Sequence, residues 1–580
     1  MYLKKSTYKG RLYLVIAETY RVPGENKTST RTVKRLGYLD ELEHPIEYYQ
    51  NMAQNMTKDK QEREREFIIK LDPNEKMATS YQSQKNIGYI VLQGIYYALQ
   101  LDRWVNNTSR HRKFAFNMNQ MARFLILSRL MKPASKLADF KAKDRYFDRF
   151  DFSLDDVYHS LSFFSERKNH FIPYLHKQIE TLLGRDTSTT YYDVTNYYFE
   201  IDDPKDLKQK GCSKENRRTP IIQMGLLTDA DGIPLDYHLY PGNTVDCQTY
   251  RPFLTRAKKD MDLGRIVVVA DKGMHTGDNI AYTLMKGYGY LFSQTVRGAS
   301  QSMKNYVLDQ TGYQHISPNF KVKSRLEPRE IWVSERDAKG RPTGRKKKYT
   351  VDEKQVVYYS EKYAQRARKE REKAIQKALK IIANPSSYHR LEDKGVNALI
   401  KHLKVDKKTG EILNPLDKLH LDEEKIKKDE KLDGYYILCT SEYKLSDDQI
   451  IAKYRDLWKI ESLFKLSKTT LETRPVYLST NAHIEGHFFI CFVAMVIARV
   501  LEKLMEGSYS AEVLINELRQ NNYQLVGRNV YQGSYHSEVL EAIGERFNVP
   551  FGTKNMTQGD IKKIIAETRK PGFLPTTFCK

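Results

Sequence analysis

Cysteine is scarce in these 580 residues: Cys212, Cys247, Cys439, Cys491 and Cys579 are odd in number and scattered. With no Cys-x-x-Cys pair they build neither a disulfide framework nor a cysteine zinc site, and they suit a reducing compartment. No apolar run reaches the roughly 20 residues of a membrane span. The most apolar window, Phe488–Ile497, is followed by Arg499 and reads as a buried core helix. The opening MYLKKSTYKG has no apolar stretch of signal-peptide length, so a cytosolic protein without a membrane partner is expected. Neither a phosphate-loop Gly-x4-Gly-Lys-Ser/Thr nor a dinucleotide fingerprint occurs, which argues against a nucleotide cofactor. His483 and His487 flank Glu485, but zinc-protease spacing puts the Glu directly after the first His. No internal repeat is evident.

Positive charge is abundant instead. Lys and Arg number 96 against 73 Asp and Glu, a net charge of +23 with a sequence pI near 9.4. Clustered cations favour polyanions through counterion release, so nucleic acid is the expected partner class, a basic surface without a role being the alternative. Hydrophobic residues at 40% and aromatics at 11%, including 40 Tyr, exclude wholesale disorder. The length calls for about three to five folded units.

Residues 1–80 read as a small β-hairpin module, Arg11–Ala17 and Ser29–Leu36 about a Pro23-Gly24 turn, followed by a charge-dense linker or exposed helix. Over 81–185 the period turns helical, with Pro133 stopping one helix and Ser153 with Asp156 starting another over Leu154–Leu183. We take this block as a DNA-binding domain, packing scaffold being the other reading. Residues 186–296 give three strands, Thr189–Phe199, Pro220–Leu227 and Pro234–Tyr240, then a helix over Asp246–Met261. The apolar strand Ile266–Ala270, a helix over Thr276–Met285 and a strand Tyr288–Phe292 follow. That order predicts an RNase H-like core, a mixed sheet with helices on both faces. Residues 297–445 read as an insertion domain with a charged helix over Ser360–Ala383 broken by Asn384-Pro385. The core resumes over 446–505 with a helix over Asp447–Lys468, capped by Ser446 and Gln449, and 506–580 form a C-terminal region suited to dimerisation or DNA contact. The fold class is thus α/β multidomain.

Three carboxylates draw notice. Asp193 lies inside the strand run Tyr191-Tyr192-Asp193-Val194-Thr195, where a charge is costly unless paired or bound to a cation. Asp271 directly follows the apolar strand, at the sheet edge where ligands gather, although a lone Asp there can equally be a turn-former. Tyr454, Glu461 and Lys468 are spaced by seven, which keeps them on one helix face with Leu457, Trp458 and Phe464. A Glu and a Lys on an apolar face fit poorly as plain core, an interhelical ion pair being the other reading.

This constellation resembles the DDE transposases of bacterial insertion sequences, in the branch with a Tyr-x2-Arg-x3-Glu-x6-Lys signature. Asp193 in Tyr-Asp-Val-Thr, Asp271 in Val-Ala-Asp-Lys-Gly and Glu461 match its three acids, and Tyr240-Pro241-Gly242-Asn243-Thr244 resembles a segment between the first two. Leu457 departs from the signature, standing where it has Arg; Arg455 points elsewhere around the helix, and Arg474 is the better substitute. The resemblance implies a cytoplasmic bacterial enzyme, associated with the nucleoid when bound to DNA, that binds its element's terminal inverted repeats and cuts and joins DNA. It implies Asp193, Asp271 and Glu461 as catalytic ligands of two Mg²⁺ ions, Mn²⁺ substituting, and Tyr454 and Lys468 as phosphate contacts. A homodimer on double-stranded DNA, at element ends and target, is expected. The insertion is expected to touch DNA, through the basic run Arg345–Lys348 and with Trp332 stacking on a base, although both could be ordinary surface. Lys214, Arg217 and Arg218 could touch DNA or stay solvated. Glu472 is a weaker rival to Glu461, and Glu200, Asp202 and Asp203 read as a solvated strand end. A metal-dependent nuclease that does not join ends, and a non-catalytic DNA-binding descendant, are the competing readings.

Overall fold

The computed structural model describes the chain except residues 9, 22–26, 64–73, 75, 77–82, 262, 338–340, 384–398, 402–419, 528 and 576–580. The expected Pro23-Gly24 turn and Asn384-Pro385 break, and much of the charged linker, lie outside the described residues. Two compact units result, residues 1–81 with 525–531, and residues 82–524 with 532–580.

The first unit holds an antiparallel sheet of β1 (Tyr2–Tyr8), β2 (Arg11–Arg21) and β3 (Thr28–Tyr38), followed by α1 (Ile46–Arg63). β1 adds a strand to the hairpin read from sequence. Alternation sorts its faces: Leu14 and Ile16 are fully buried, while Lys4 and Arg35 flank Val15 across the strands and are exposed.

The second unit opens with β4 (Gln84–Asn86), α2 (Tyr89–Ala98), α3 (Leu101–Ser109), α4 (Met118–Met131), α5 (Lys136–Lys141) and α6 (Leu154–Leu183). The capping box that starts α6 is reciprocal: Ser153 N–H donates to Asp156 at 2.8 Å, and Asp156 N–H donates to Ser153 Oγ at 3.2 Å. Gly184, at φ 65°, ends it.

The core strands come next: β5 (Thr189–Tyr198), β6 (Ile221–Thr228), β7 (Pro234–Pro241), α7 (Asp246–Asp260), β8 (Val267–Ala270), α8 (Gly277–Met285) and β9 (Gly289–Gln294). β5, β6 and β7 form an antiparallel meander, and β8 and β9 run parallel to β5. The order β9-β8-β5-β6-β7, with α7 and α8 as crossovers, is that of an RNase H-like core.

The insertion carries α9 (Gln301–Leu308), β10 (Gln314–Ser317), β11 (Phe320–Arg336), β12 (Pro342–Ser360), α10 (Glu361–Ala383), β13 (Ile400–Lys401), β14 (His420–Leu421), α11 (Glu423–Glu430) and β15 (Tyr435–Thr440). It is continuous with the core: β15 pairs with β9 and β12 with β15, so one nine-stranded sheet runs β10-β11-β12-β15-β9-β8-β5-β6-β7. The rest of β11 and β12 projects as a two-stranded ribbon seated on the start of α8. There Ser334 N–H donates to Asp278 at 2.7 Å, and a Cβ on Gly277 would lie 2.5 Å from the Trp332 carbonyl oxygen.

The chain ends with α12 (Asp447–Arg455), α13 (Trp458–Lys468), α14 (Asn481–Leu504), α15 (Ala511–Gln520), β16 (Asn522–Gly527), β17 (Val530–Gly533), α16 (Glu538–Phe547), β18 (Asn555–Thr557) and α17 (Gln558–Glu567). The single helix expected over Asp447–Lys468 is two. Leu457 N–H bonds the Tyr454 carbonyl and Lys459 N–H that of Asp456, both i to i−3, so a tighter turn interrupts the α-helix at 456–457. α14 passes the length and hydropathy test for a membrane span, yet 94% of its most apolar window is buried inside the protein. α2, α4 and α6 pack against it. Eight of ten α2 residues and twelve of fourteen α4 residues are buried, so these two helices are walls of the core and present no open face to a groove.

Candidate active site

Strand register brings the first two acids together. Tyr192 on β5 is the parallel partner of Ala270 on β8, so Asp193 and Asp271, each one residue further on, are neighbours across the pair. Ala270 is likewise partnered with Phe292 on β9, which sets Ser293 beside Asp271; its hydroxyl donates to Asp271 Oδ1 at 3.1 Å. The third acid arrives on α13, which is held over the same sheet face. Tyr197 and Ser467 hydroxyls meet at 2.9 Å, and Lys459 Nζ donates to the Ala230 carbonyl at 2.8 Å.

Asp193, Asp271, Glu461 and Tyr454 line one cleft of about 580 Å³. Burial, reinforced by the charges of Asp271 and Glu461 and opposed by Lys214, pushes the Asp193 carboxyl up to about 6. The Tyr454 hydroxyl is raised by burial and by the same carboxylates. Burial, with the like charge of Lys214, lowers Lys468 to about 8. Three carboxylates facing one cleft, at least one of them costly to ionise alone, make a set of hard oxygen donors suited to a divalent cation.

The remaining expected contacts lie outside the cleft wall, and Arg474 lines a separate pocket together with Glu472. Lys468 and Arg474 both pair with Glu215, from the turn between β5 and β6. Lys214 Nζ donates to the Val194 carbonyl at 2.5 Å, and Arg217 lies 4.3 Å over the Tyr198 ring. Leu457, 7% exposed, lines the cleft without offering a charge. Trp332 is not in the cleft: it is 57% exposed on the β11–β12 ribbon, paired across the strands with Lys348 of the basic run. Glu472 lines a different pocket, beside Arg129 and His487, and Asp202 and Asp203 pair with Lys210 and Lys208. His487 is buried, its Nε2 3.1 Å from the Thr473 carbonyl oxygen.

Sequence reasoning missed Ser293, Lys272, Arg297 and Arg366 in the cleft wall, along with Tyr363 and Tyr436. Lys272 adjoins Asp271 and could have been found. The others reach the cleft through pairings and packing that no local pattern announces.

A second set of metal-ligating types, His275, Glu353 and Cys439, has its ligand atoms within 4.8 Å of one another. It already holds a cation. Arg329 NH1 lies 3.0 Å from Glu353 and 2.5 Å from His275 Nε2, and Tyr290 and Gln355 also donate to Glu353. Burial alone would raise the Glu353 carboxyl, but His275, 3.9 Å away, and the charge of Arg329 pull it down to about 2. This is a satisfied ion-pair network on the sheet face opposite Ser293.

Residues 198–497, just over half the chain, match the family described as Transposase DDE domain, and residues 3–66 match the IS1634 family transposase N-terminal domain. The chain belongs to the DDE transposases. Within this transposase the first match includes Asp271 and Glu461 and begins just past Asp193. No curated protein matches the transposase sequence. Among solved structures it is similar to a piggyBac transposase synaptic complex with hairpin DNA, at 8% identity and TM-score 0.35 over 85% of each chain. It is also similar to a Mos1 transposase paired-end complex with the left transposon end, at 11% identity and TM-score 0.14, covering 43% of this chain and 68% of that one. Both overlaps are low, and the fold assignment rests on the strand order above.

Proposed function

We propose that this transposase binds the terminal inverted repeats of its element, cleaves a strand at each end in a reaction dependent on Mg²⁺ or Mn²⁺, and joins the freed 3′ ends to target DNA. The observation that carries the reading is the convergence of Asp193, Asp271 and Glu461, from β5, the end of β8 and α13, on one cleft.

The three carboxylates would hold two divalent ions, which supply activation of the attacking oxygen and charge neutralisation at the leaving oxygen. Asp193, which feels the charges of both other acids, would hold these ions together with Asp271 and Glu461. Ser293 fixes the orientation of Asp271, and Tyr454, in the same cleft wall, orients the substrate backbone. Lys468 and Arg474 neutralise phosphate charge where the signature's Arg is replaced by Leu457. Lys214 and Arg217 border the same path. Trp332 and the Arg345–Lys348 run touch DNA away from the cleft, on the ribbon. With α2 and α4 buried, DNA contact by the helical block falls to the outer faces of α3 and α6. Assembly on DNA is as a homodimer, one active site for each end, in the cytoplasm and on the nucleoid.

The test is to incubate linear DNA carrying the gene and its natural flanks with the protein and Mg²⁺, and to map every new 3′ end and every junction. Matching cuts on both flanks with joined products are expected. Scattered nicks without joining would replace this reading with a nuclease, and binding without cuts with a non-catalytic DNA-binding protein.

A further inference from the structure

Glu215 is one carboxylate among several cations. It lies in the turn 211–218 between β5 and β6, whose other charged side chains are Lys214, Arg217 and Arg218. Its two oxygens are divided between cations from a distant part of the chain. Oε1 is 3.3 Å from Lys468 Nζ at the end of α13, and Oε2 contacts Arg474 NH1 beyond that helix. The guanidinium groups of Arg217 and Arg474 lie 4.3 and 5.4 Å from the Tyr198 ring centre. Lys214 donates to the carbonyl of Val194, next to Asp193.

From this geometry we infer that Lys468 and Arg474 form a subsite for one DNA backbone phosphate, and that Glu215 occupies it in the DNA-free protein as a stand-in which the phosphate displaces. The inference rests on the transposase reading. A carboxylate presents to a guanidinium the same pair of oxygens that a phosphate does, so two cations converging on one carboxylate are arranged to converge on a phosphate. The exchange needs no opening of the core: the side chains of Glu215, Lys468 and Arg474 keep 26%, 14% and 22% of their surface exposed. An ion pair that is partly exposed is weak enough to be exchanged. The root of the turn is fixed, because Gly211 packs so closely on the Gly242 carbonyl that a Cβ would lie 1.9 Å from its oxygen. Displacement therefore involves the Glu215 side chain and leaves the sheet intact. An ion pair that merely fixed the turn would predict the reverse of a plug, lower stability on removal with no gain in affinity.

The experiment measures binding of the full-length protein to linear double-stranded DNA carrying the gene's natural flanks, by fluorescence anisotropy with Mg²⁺ present. All variants are made in an Asp193→Asn background so that no DNA is cut. Glu215→Gln is expected to tighten binding by about threefold to tenfold, the range of one exchanged ion pair. Arg474→Gln is expected to weaken it, and in that background the gain from Glu215→Gln should shrink to less than about twofold because the two sites share one interaction. Glu215→Ala serves as the second variant. Unchanged or weaker binding by both folded Glu215 variants would overturn the inference while leaving the transposase reading in place. Loss of fold in both would show a structural lock and overturn it likewise. Failure of every variant, and of the parent, to bind this DNA would overturn the inference and the transposase reading together.

Discussion

Ser293 donates its hydroxyl to Asp271 across 3.1 Å, from the strand next to the one that Asp271 terminates. Asp271 also accepts from Lys272 N–H at 2.6 Å, so one oxygen of this carboxylate is committed to fixing its direction. Supporting partners of metal-binding side chains typically matter by one to two orders of magnitude. Ser293→Ala is therefore expected to lower Mg²⁺-dependent cleavage by about 10- to 100-fold and to leave DNA affinity unchanged. Cleavage rates at saturating DNA, alongside binding curves, check this.

The raised carboxyl of Asp193 carries a stability prediction. Its pKa near 6 in the fold exceeds the ordinary value of 3.8, so the folded state favours the protonated form. That contribution is fully present below about pH 4 and is lost as pH rises through 6. The protein without metal is thus strained by this charge at pH 8, by roughly 1–3 kcal/mol. Asp193→Asn should melt higher than wild type at pH 8 without metal, and the difference should shrink towards pH 5. Mg²⁺ should raise the melting temperature of wild type at pH 8 far more than that of the variant. Thermal melts across pH, with and without Mg²⁺, decide it.

The network of Arg329, His275 and Glu353 is predicted to be structural. Glu353 is fully buried, and Glu353→Gln would leave the Arg329 guanidinium without its counter-charge at a cost of about 3–5 kcal/mol. The expected result is a large drop in melting temperature that added divalent metal does not reverse. Metal rescue of wild type after chelation, lost in His275→Ala, would instead mark a metal site there.

The seating of the β11–β12 ribbon depends on the absent side chain of Gly277. Gly277→Ala places a carbon 2.5 Å from the Trp332 carbonyl oxygen, and backbone on both sides must move. A loss of about 1–3 kcal/mol is expected, with cleavage per folded molecule little changed because the contact lies outside the cleft. Melting and active-fraction measurements test both halves.

Much of this architecture was legible in the sequence because its signals are local. Ser153 with Asp156 and Ser446 with Gln449 start their helices as the capping rule predicts. The apolar run before Asp271 forms the short buried strand that was expected. What escaped depends on distant pairing or on subtle geometry. The pairing of β15 with β9 joins Ile437 to Gln294, and no local pattern announces that the insertion extends the core sheet. The break at 456–457 arises from i to i−3 bonds that a spacing of seven does not encode. Helical periodicity in α2 and α4 could not tell a DNA-reading helix from a core wall, because much of their burial comes from partners such as α14, nearly four hundred residues away in sequence. The clasp of Glu215 by Lys468 and Arg474 joins a turn to a helix end in the same non-local way.

In the proposed reaction Asp193, Asp271 and Glu461 together carry the chemistry. The most direct measurement is Mg²⁺-dependent cleavage of DNA bearing the element's ends by Asp193→Asn, Asp271→Asn and Glu461→Gln, with DNA binding followed in parallel. Each substitution is predicted to lower cleavage by about a thousandfold or more while affinity stays within roughly threefold. Near-normal cleavage by any one of the three, with Mg²⁺ as the sole divalent ion, would show that this carboxylate does not hold the reacting metal.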